Sequence, residues 1–243
     1  MSILETKNLT KHYDGVAAID DLSVVIEKGK ITSVIGPNGS GKTTLINVLS
    51  GMTPMSHGMI IVDGVSLKKI SAAEVPSYGI TRTFQEVRLF NQLPVLDNLL
   101  IALTERNVFG ALFEKHTGLH LKRAEELLRK INIWEKRHEL AGNLSYGQRK
   151  LLEIVRALAM NAEVYLFDEP FAGLFPEMVK LIVGIIEELR AEGKTVILIE
   201  HNMDLIRELS DRIIVMDGGT LLAEGEPKEV LERRSVIEVY LGE

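Results

Sequence analysis

Gly36-Pro37-Asn38-Gly39-Ser40-Gly41-Lys42-Thr43 spells GxxxxGK(S/T). The apolar residues Ile31, Val34 and Ile35 stand before it, and Thr44, Leu45, Val48 and Leu49 follow at helical spacing up to Gly51. Strand, glycine-rich loop, Lys-Thr and helix in that order read as a phosphate-binding loop rather than a loop that binds nothing. Glycines at 36, 39 and 41 let the backbone turn tightly with its N–H groups inward. Main-chain donors at a helix N-terminus can then hold a triphosphate. Lys42 adds a mobile positive charge, and the Thr43 hydroxyl in the first helical turn can coordinate a Mg²⁺ ion bridging the outer phosphates.

Outward from this loop, the residues before it read as short strands. Leu22, Val24 and Ile26 alternate with Ser23, Val25 and Glu27, and Asp14-Gly15 and Lys28-Gly29 are breaks, so Ile3 to Ile35 predicts an antiparallel layer. Tyr13 stands at the first turn, where a ring can stack on a purine or simply end a strand half exposed. Met59 to Val62, closed by Asp63-Gly64, predicts another hairpin. Between Ser71 and Asn161 the spacing turns helical, over Pro94 to Glu105, Leu119 to Ile131 and Gly147 to Met160. Tyr78 to Leu93, at the entrance to this insertion, mixes Arg82, Phe84, Gln85, Arg88, Leu89 and Phe90 in a way no plain core helix does. Arg106 to Gly118 is the least patterned segment and is expected to be mobile. After Ala162, Val164 to Phe167 and Thr195 to Ile199 are continuous apolar strands flanking a helix from Pro176 to Ala191, with Gly193 beyond it. Arg212 to Glu224 is a hairpin around Asp217-Gly218-Gly219, and Pro227 to Leu241 a helical tail. The sum is an α/β fold: a P-loop NTPase core with a mainly parallel sheet, an N-terminal antiparallel β subdomain and a helical insertion.

The chain has 243 residues, 46% of them hydrophobic, enough for one large α/β domain or two modest ones. With 28 basic and 34 acidic residues its formal net charge is −6, which argues against general attraction to nucleic-acid phosphates. The absence of cysteine removes disulfides, thiol catalysis and cysteine-ligated zinc. No apolar run reaches membrane-span length, since Pro94 to Leu103 is broken by Asp97 and Asn98. Met1 to Glu5 lacks the basic and apolar regions of a signal peptide, so a membrane role has to run through a partner.

Val164 to Phe167 delivers Asp168 and Glu169 to the carboxyl end of a buried strand, where open α/β sheets bind ligands. There Asp168 can hold Mg²⁺ through its water shell and Glu169 can polarise an attacking water. An Asp-Glu-Pro helix cap is the plainer reading of the same residues. Leu144-Ser145-Tyr146-Gly147-Gln148 precedes a helix with Leu151, Leu152, Val155, Leu158 and Ala159 on one stripe, with Ser145 as its N-cap. It makes a second anion-binding helix end.

With these motifs in this order, the chain resembles the ATP-binding cassette (ABC) ATPases over essentially its whole length. Their signature is LSGGQ, from which Tyr146 departs. The resemblance implies one ABC ATPase domain over 1–243, with 1–77 and 162–243 as β and RecA-like core and about 78–161 as Q-loop and helical subdomain. It implies that ATP is bound by Tyr13, Gly36, Pro37, Asn38, Gly39, Ser40, Gly41, Lys42, Thr43, Thr44, Gln85, Ser145, Gly147 and Gln148. Tyr13 matches the ring that stacks on adenine, Gln85 the Q-loop glutamine that senses Mg²⁺ and the water, and His201 the switch histidine at the γ-phosphate. Lys42, Glu169 and His201 are then catalytic, and Thr43, Gln85 and Asp168 serve the metal. A second ABC ATPase subunit, identical or related, is implied in a head-to-tail dimer, with transmembrane permease subunits, at the cytoplasmic face of the membrane. Phe175 stands where the family usually has Asp or Asn facing the opposing subunit.

Gly79-Ile80-Thr81-Arg82-Thr83-Phe84-Gln85, Arg88-Leu89-Phe90 and the signature look like the ATPases of branched-chain amino acid importers, whose corresponding motifs cover the surface that meets the membrane subunits. The length and the ending Tyr240-Leu241-Gly242-Glu243 are also similar to lipopolysaccharide-export ATPases. An export-type ATPase, or a soluble one serving iron–sulfur cluster assembly, is therefore the alternative. A P-loop kinase would leave Leu144 to Gln148 unexplained.

Overall fold

A computed structural model of the chain describes residues 1–104 and 118–241. Its contacts divide the chain into one unit of Met1–Arg82, Glu163–Glu169 and Val183–Glu243 and another of Thr83–Ala162 and Pro170–Ile182. The stretch 106–117, Glu105, Gly242 and Glu243 lie outside the described residues, so the mobility expected for Arg106 to Gly118 does too, apart from Gly118 itself, which begins a helix.

The first unit holds two sheets. β1 (Ser2–Tyr13), β2 (Val16–Leu22), β3 (Val25–Glu27), β5 (His57–Val62) and β6 (Val65–Leu67) form the antiparallel one, in the order β2-β1-β5-β6 with β3 also on β1. β4 (Ile31–Ile35) does not belong to that layer, as the alternating pattern suggested, but pairs parallel with β9 (Thr195–Ile199) and β10 (Arg212–Asp217). All five of its residues are buried, the mark of a strand covered on both faces. The second sheet runs β11-β10-β4-β9-β8-β7, where β7 is Ile80–Arg82, β8 Val164–Asp168 and β11 Thr220–Gly225. Every neighbouring pair is parallel except β10 with β11. β7 is three residues long, too short to show a period.

α1 (Lys42–Leu49) buries Leu45, Ile46, Val48 and Leu49 in one core shared with Leu4, Leu9 and Ile60 of the antiparallel sheet and Val34, Leu166 and Ile197 of the parallel one. A second cluster gathers Ile35, Ile213 and Val215 with Ile206 and Val236. In the other unit, α2 (Val95–Leu103), α3 (Gly118–Lys130) and α4 (Tyr146–Ala159) pack on one another, and Leu99, Leu127, Leu128, Leu151, Leu152 and Val155 on them are buried. α5 spans Pro176–Ala191 and α6 Met203–Leu209. The tail is two helices, α7 (Pro227–Leu231) and α8 (Arg234–Leu241), parted at residues 232–233.

Candidate functional site

The buried β4 delivers the chain to Gly36, and α1 begins at Lys42, so the motif forms a strand–loop–helix junction. Gly36, Gly39 and Gly41 have φ of 149°, 84° and 99°. Two of them also meet backbone: a Cβ on Gly36 would lie 2.1 Å from the Met216 carbonyl oxygen, and one on Gly41 2.4 Å from that of Ala18. The loop is braced from outside by the turn after β10, where the Gly219 N–H donates to the Ser40 carbonyl at 3.2 Å. Asn38, Gly39 and Thr43 are exposed, while Pro37 and Thr44 are partly buried. Ser40 is 1% exposed.

Lys42 is less mobile than its sequence position suggests. Nζ donates to the carbonyls of Gly36 at 2.8 Å and Pro37 at 2.9 Å, with Ser40 Oγ at 3.5 Å. Burial holds the ammonium below the ordinary lysine value, opposed by the carboxylates of Glu169 and Asp168. Those opposing charges place loop, lysine and acid pair in one electrostatic neighbourhood.

Asp168 ends β8, and α5 does not begin until Pro176, so the acid pair is not a helix cap. The Arg82 guanidinium donates from Nη2 to Asp168 Oδ2 at 2.9 Å, with side-chain exposures of 7% and 2%. From Nη1 it donates to Asn47 Oδ1 at 2.6 Å and Ser50 Oγ at 2.9 Å in the last turn of α1. Arg82 thus spans from the helix behind the phosphate loop to the acidic strand end. By sequence it lies in a segment that resembles a docking surface; within that segment Ile80, Thr81 and Thr83 are buried, and Gln85, Glu86, Arg88 and Phe90 are the exposed residues.

Glu169 has φ 48°, the left-handed region that non-glycine residues seldom enter and that gathers at functional sites. Its N–H donates to the Ile199 carbonyl at 3.0 Å. Its Oε1 lies 3.1 Å from His201 Nε2, which the end of β9 presents with the ring 44% exposed. The neighbouring Glu200 is buried, which raises its carboxyl above the usual range. Tyr13 closes β1, 43% exposed, with Lys11 Nζ 4.7 Å from its ring centroid. No group of three or more His, Cys, Asp or Glu side chains among the described residues is arranged to hold a metal.

In the other unit, Ser145 is the N-cap of α4 and makes a capping box. Its Oγ accepts the Gln148 N–H at 3.3 Å, and Gln148 Oε1 accepts the Ser145 N–H at 3.2 Å. Gly147 lies in the first turn, where a Cβ would stand 2.2 Å from Met178 Sδ. Gln85 is exposed, with its main chain bound to α4: Lys150 Nζ donates to its carbonyl at 3.1 Å.

Phe175 is 74% exposed, and its carbonyl accepts the Met178 and Val179 N–H groups at the start of α5. That is an N-cap position held by a side chain that cannot cap. Phe175→Asp is expected to raise the stability of that helix end by about 1 kcal/mol, read by thermal melting. A change in dimerisation or in ATPase rate is expected as well; unchanged values for both would show that the departure from the family pattern is inconsequential.

A phosphate loop closing a parallel sheet, beside an acid pair and a histidine on adjacent strand ends, defines a nucleoside triphosphatase. Residues 19–172 match the family described as ABC transporter, and the chain belongs to that family as a nucleotide-binding ATPase. It is 37% identical over 252 residues to the probable branched-chain amino acid transport ATP-binding protein LivG of Archaeoglobus fulgidus, spanning 100% of this chain and 96% of the relative. A solved ATP-binding cassette of an ABC transporter in its ADP conformation is 37% identical with a TM-score of 0.86, each chain covered fully. A dimeric cassette in a post-hydrolysis state bound to ADP and Pi is 26% identical with a TM-score of 0.81, over 92% of this chain and 98% of that one.

Proposed function

We propose that this protein is the ATP-hydrolysing subunit of a membrane importer of branched-chain amino acids, acting as a head-to-tail dimer on permease subunits at the cytoplasmic face. The cargo rests on one observation, the full-length similarity to LivG. No helix among the described residues is long and apolar enough to cross a membrane; in this reading attachment runs through the permease.

Each site residue has a task in this reading. The amides of Gly36 to Thr44 surround the triphosphate, and Lys42 exchanges its carbonyl acceptors for anionic phosphate oxygens, which bind an ammonium more strongly. Thr43 and Asp168 suit Mg²⁺: an exposed hydroxyl in a first helical turn and a carboxylate at a strand end are what an ion that keeps most of its waters needs. Held there, Mg²⁺ would supply neutralisation of phosphate charge. Glu169 orients and deprotonates the attacking water, and His201, held against it at 3.1 Å, faces the γ-phosphate. Tyr13 stacks on adenine, and Gln85 senses the metal and the water. Ser145, Gly147 and Gln148 serve the nucleotide of the opposing subunit, Ser145 giving up its capping bond to do so.

Reconstitution tests the whole. Purified with the membrane subunits encoded beside it and placed in liposomes, the complex is expected to take up labelled leucine, isoleucine or valine only with ATP and Mg²⁺. ATP hydrolysis without uptake of any of the three would overturn the cargo, and failure to copurify with a membrane subunit would overturn the transporter role.

A further inference from the structure

Residues 83–90 form neither helix nor strand, so the peptide groups of this stretch need partners from elsewhere. Five of them find side chains of α4. Lys150 Nζ donates to the carbonyls of Phe84 at 2.8 Å and Gln85 at 3.1 Å. Glu153 Oε1 accepts the N–H groups of Phe84 at 3.4 Å and Arg88 at 3.1 Å. Arg156 Nη1 donates to the Arg88 carbonyl at 2.6 Å. Positions 150, 153 and 156 are three apart and share one face of the helix. Lys150 is 0% and Glu153 5% exposed, an expensive place for charge if packing were the only need. The charges alternate, and burial pushes the Glu153 carboxyl up while Arg88 N–H, Lys150, Phe84 N–H and Arg156 draw it down. Ring contacts add to the grip, with the Arg88 guanidinium 4.1 Å from the Phe84 ring centroid and that of Arg156 5.3 Å from Phe90.

Ser145 caps the same helix five residues before Lys150, about 7.5 Å along its axis. A rigid rod therefore carries the signature serine at one end and the main chain of Gln85 on its flank.

We propose that Lys150, Glu153 and Arg156 are positioning residues that lock the Phe84–Arg88 backbone to α4, so that Gln85 and Ser145 move as one body during the hydrolytic cycle. The idea rests on the roles given above to Gln85 and Ser145. Gln85 then reaches its catalytic position only when α4 does, and hydrolysis waits on placement of the signature helix. The first capture of ATP, carried by the phosphate loop, is expected to change little.

The test separates hydrolysis from binding. Glu153→Ala removes the acceptor of two backbone N–H groups and is expected to lower kcat roughly tenfold or more, by misplacing Gln85, with ATP affinity within about twofold of the parent. Glu153→Gln keeps an acceptor oxygen and is expected to restore most of the rate. Should Glu153→Ala fail to fold, Arg156→Met replaces it, breaking the Arg88 and Phe90 contacts while the Lys150 and Glu153 hydrogen bonds stay in place, with a smaller kcat loss at unchanged affinity expected. Three results overturn the proposal: a kcat for Glu153→Ala, or for its replacement, within about twofold of the parent; a Gln variant no better than Ala; or rate and affinity falling together. Gln85→Ala, run alongside, tests the underlying reading by itself. A normal rate there removes the role of Gln85 whatever the Glu153 variants do.

Discussion

Glu169→Gln is expected to lower kcat for ATP hydrolysis by roughly 10²–10⁴-fold, the range of a lost general base, while ATP affinity stays within about twofold. The substitution keeps nearly everything except basicity. The amide has the same length and shape, the backbone at φ 48° asks no more of glutamine than of glutamate, and an amide oxygen still reaches His201 Nε2 at the 3.1 Å the carboxylate has. The parts that hold the phosphates are elsewhere, in the loop amides and in Lys42, whose carbonyl contacts are internal to the loop. A fall in kcat without a change in binding marks an interaction made only on the way to the transition state. Phosphate release at saturating ATP reads the first quantity and titration with a fluorescent nucleotide the second. A rate within about tenfold of the parent would show that another group takes the proton. A matching loss of affinity would show that Glu169 shapes the binding site instead.

What was legible in the chain is what contiguous residues encode. Loop, lysine and threonine lie within eight positions, and Asp168-Glu169 ends an apolar run of parallel-strand character. Ser145 with Gln148 three residues on is a capping box in sequence as in space. Pairing at a distance was not legible. Arg82 reads as a surface charge until β7 sets it beside Asp168, 86 positions away. Lys150 and Glu153 lie between the leucines of the stripe on α4 and look solvent-facing, because no local pattern signals a segment 65 to 69 positions upstream that needs its peptide groups filled. The sheet to which β4 belongs was missed for a related reason. Alternation in the strands before it described a one-sided layer, and only the burial of Thr32 and Ser33 at 0% exposure reveals two covered faces.

The same long-range pairing makes Arg82→Met the substitution with the largest expected effect on stability, a loss of about 3–5 kcal/mol, the usual consequence of removing one member of a buried ion pair. Methionine roughly fills the space of the aliphatic stem, so the loss is chiefly electrostatic. Asp168, 2% exposed, loses the guanidinium at its Oδ2, and the end of α1 loses two hydrogen bonds, at Asn47 and Ser50. A cation at that helix end also favours the aligned peptide dipoles. Denaturant midpoints at unchanged slope would read the change. Adding Asp168→Asn to Arg82→Met removes the carboxylate that has lost its ion pair with Arg82, so the double variant is expected to be more stable than Arg82→Met alone, against the additive expectation for independent sites. A loss below about 1 kcal/mol, the scale of exposed pairs, would show that the pair contributes no more than a solvated one. Arg82 would then be a surface charge after all, and the bond between the phosphate-loop helix and the acidic strand end would have to be carried by packing.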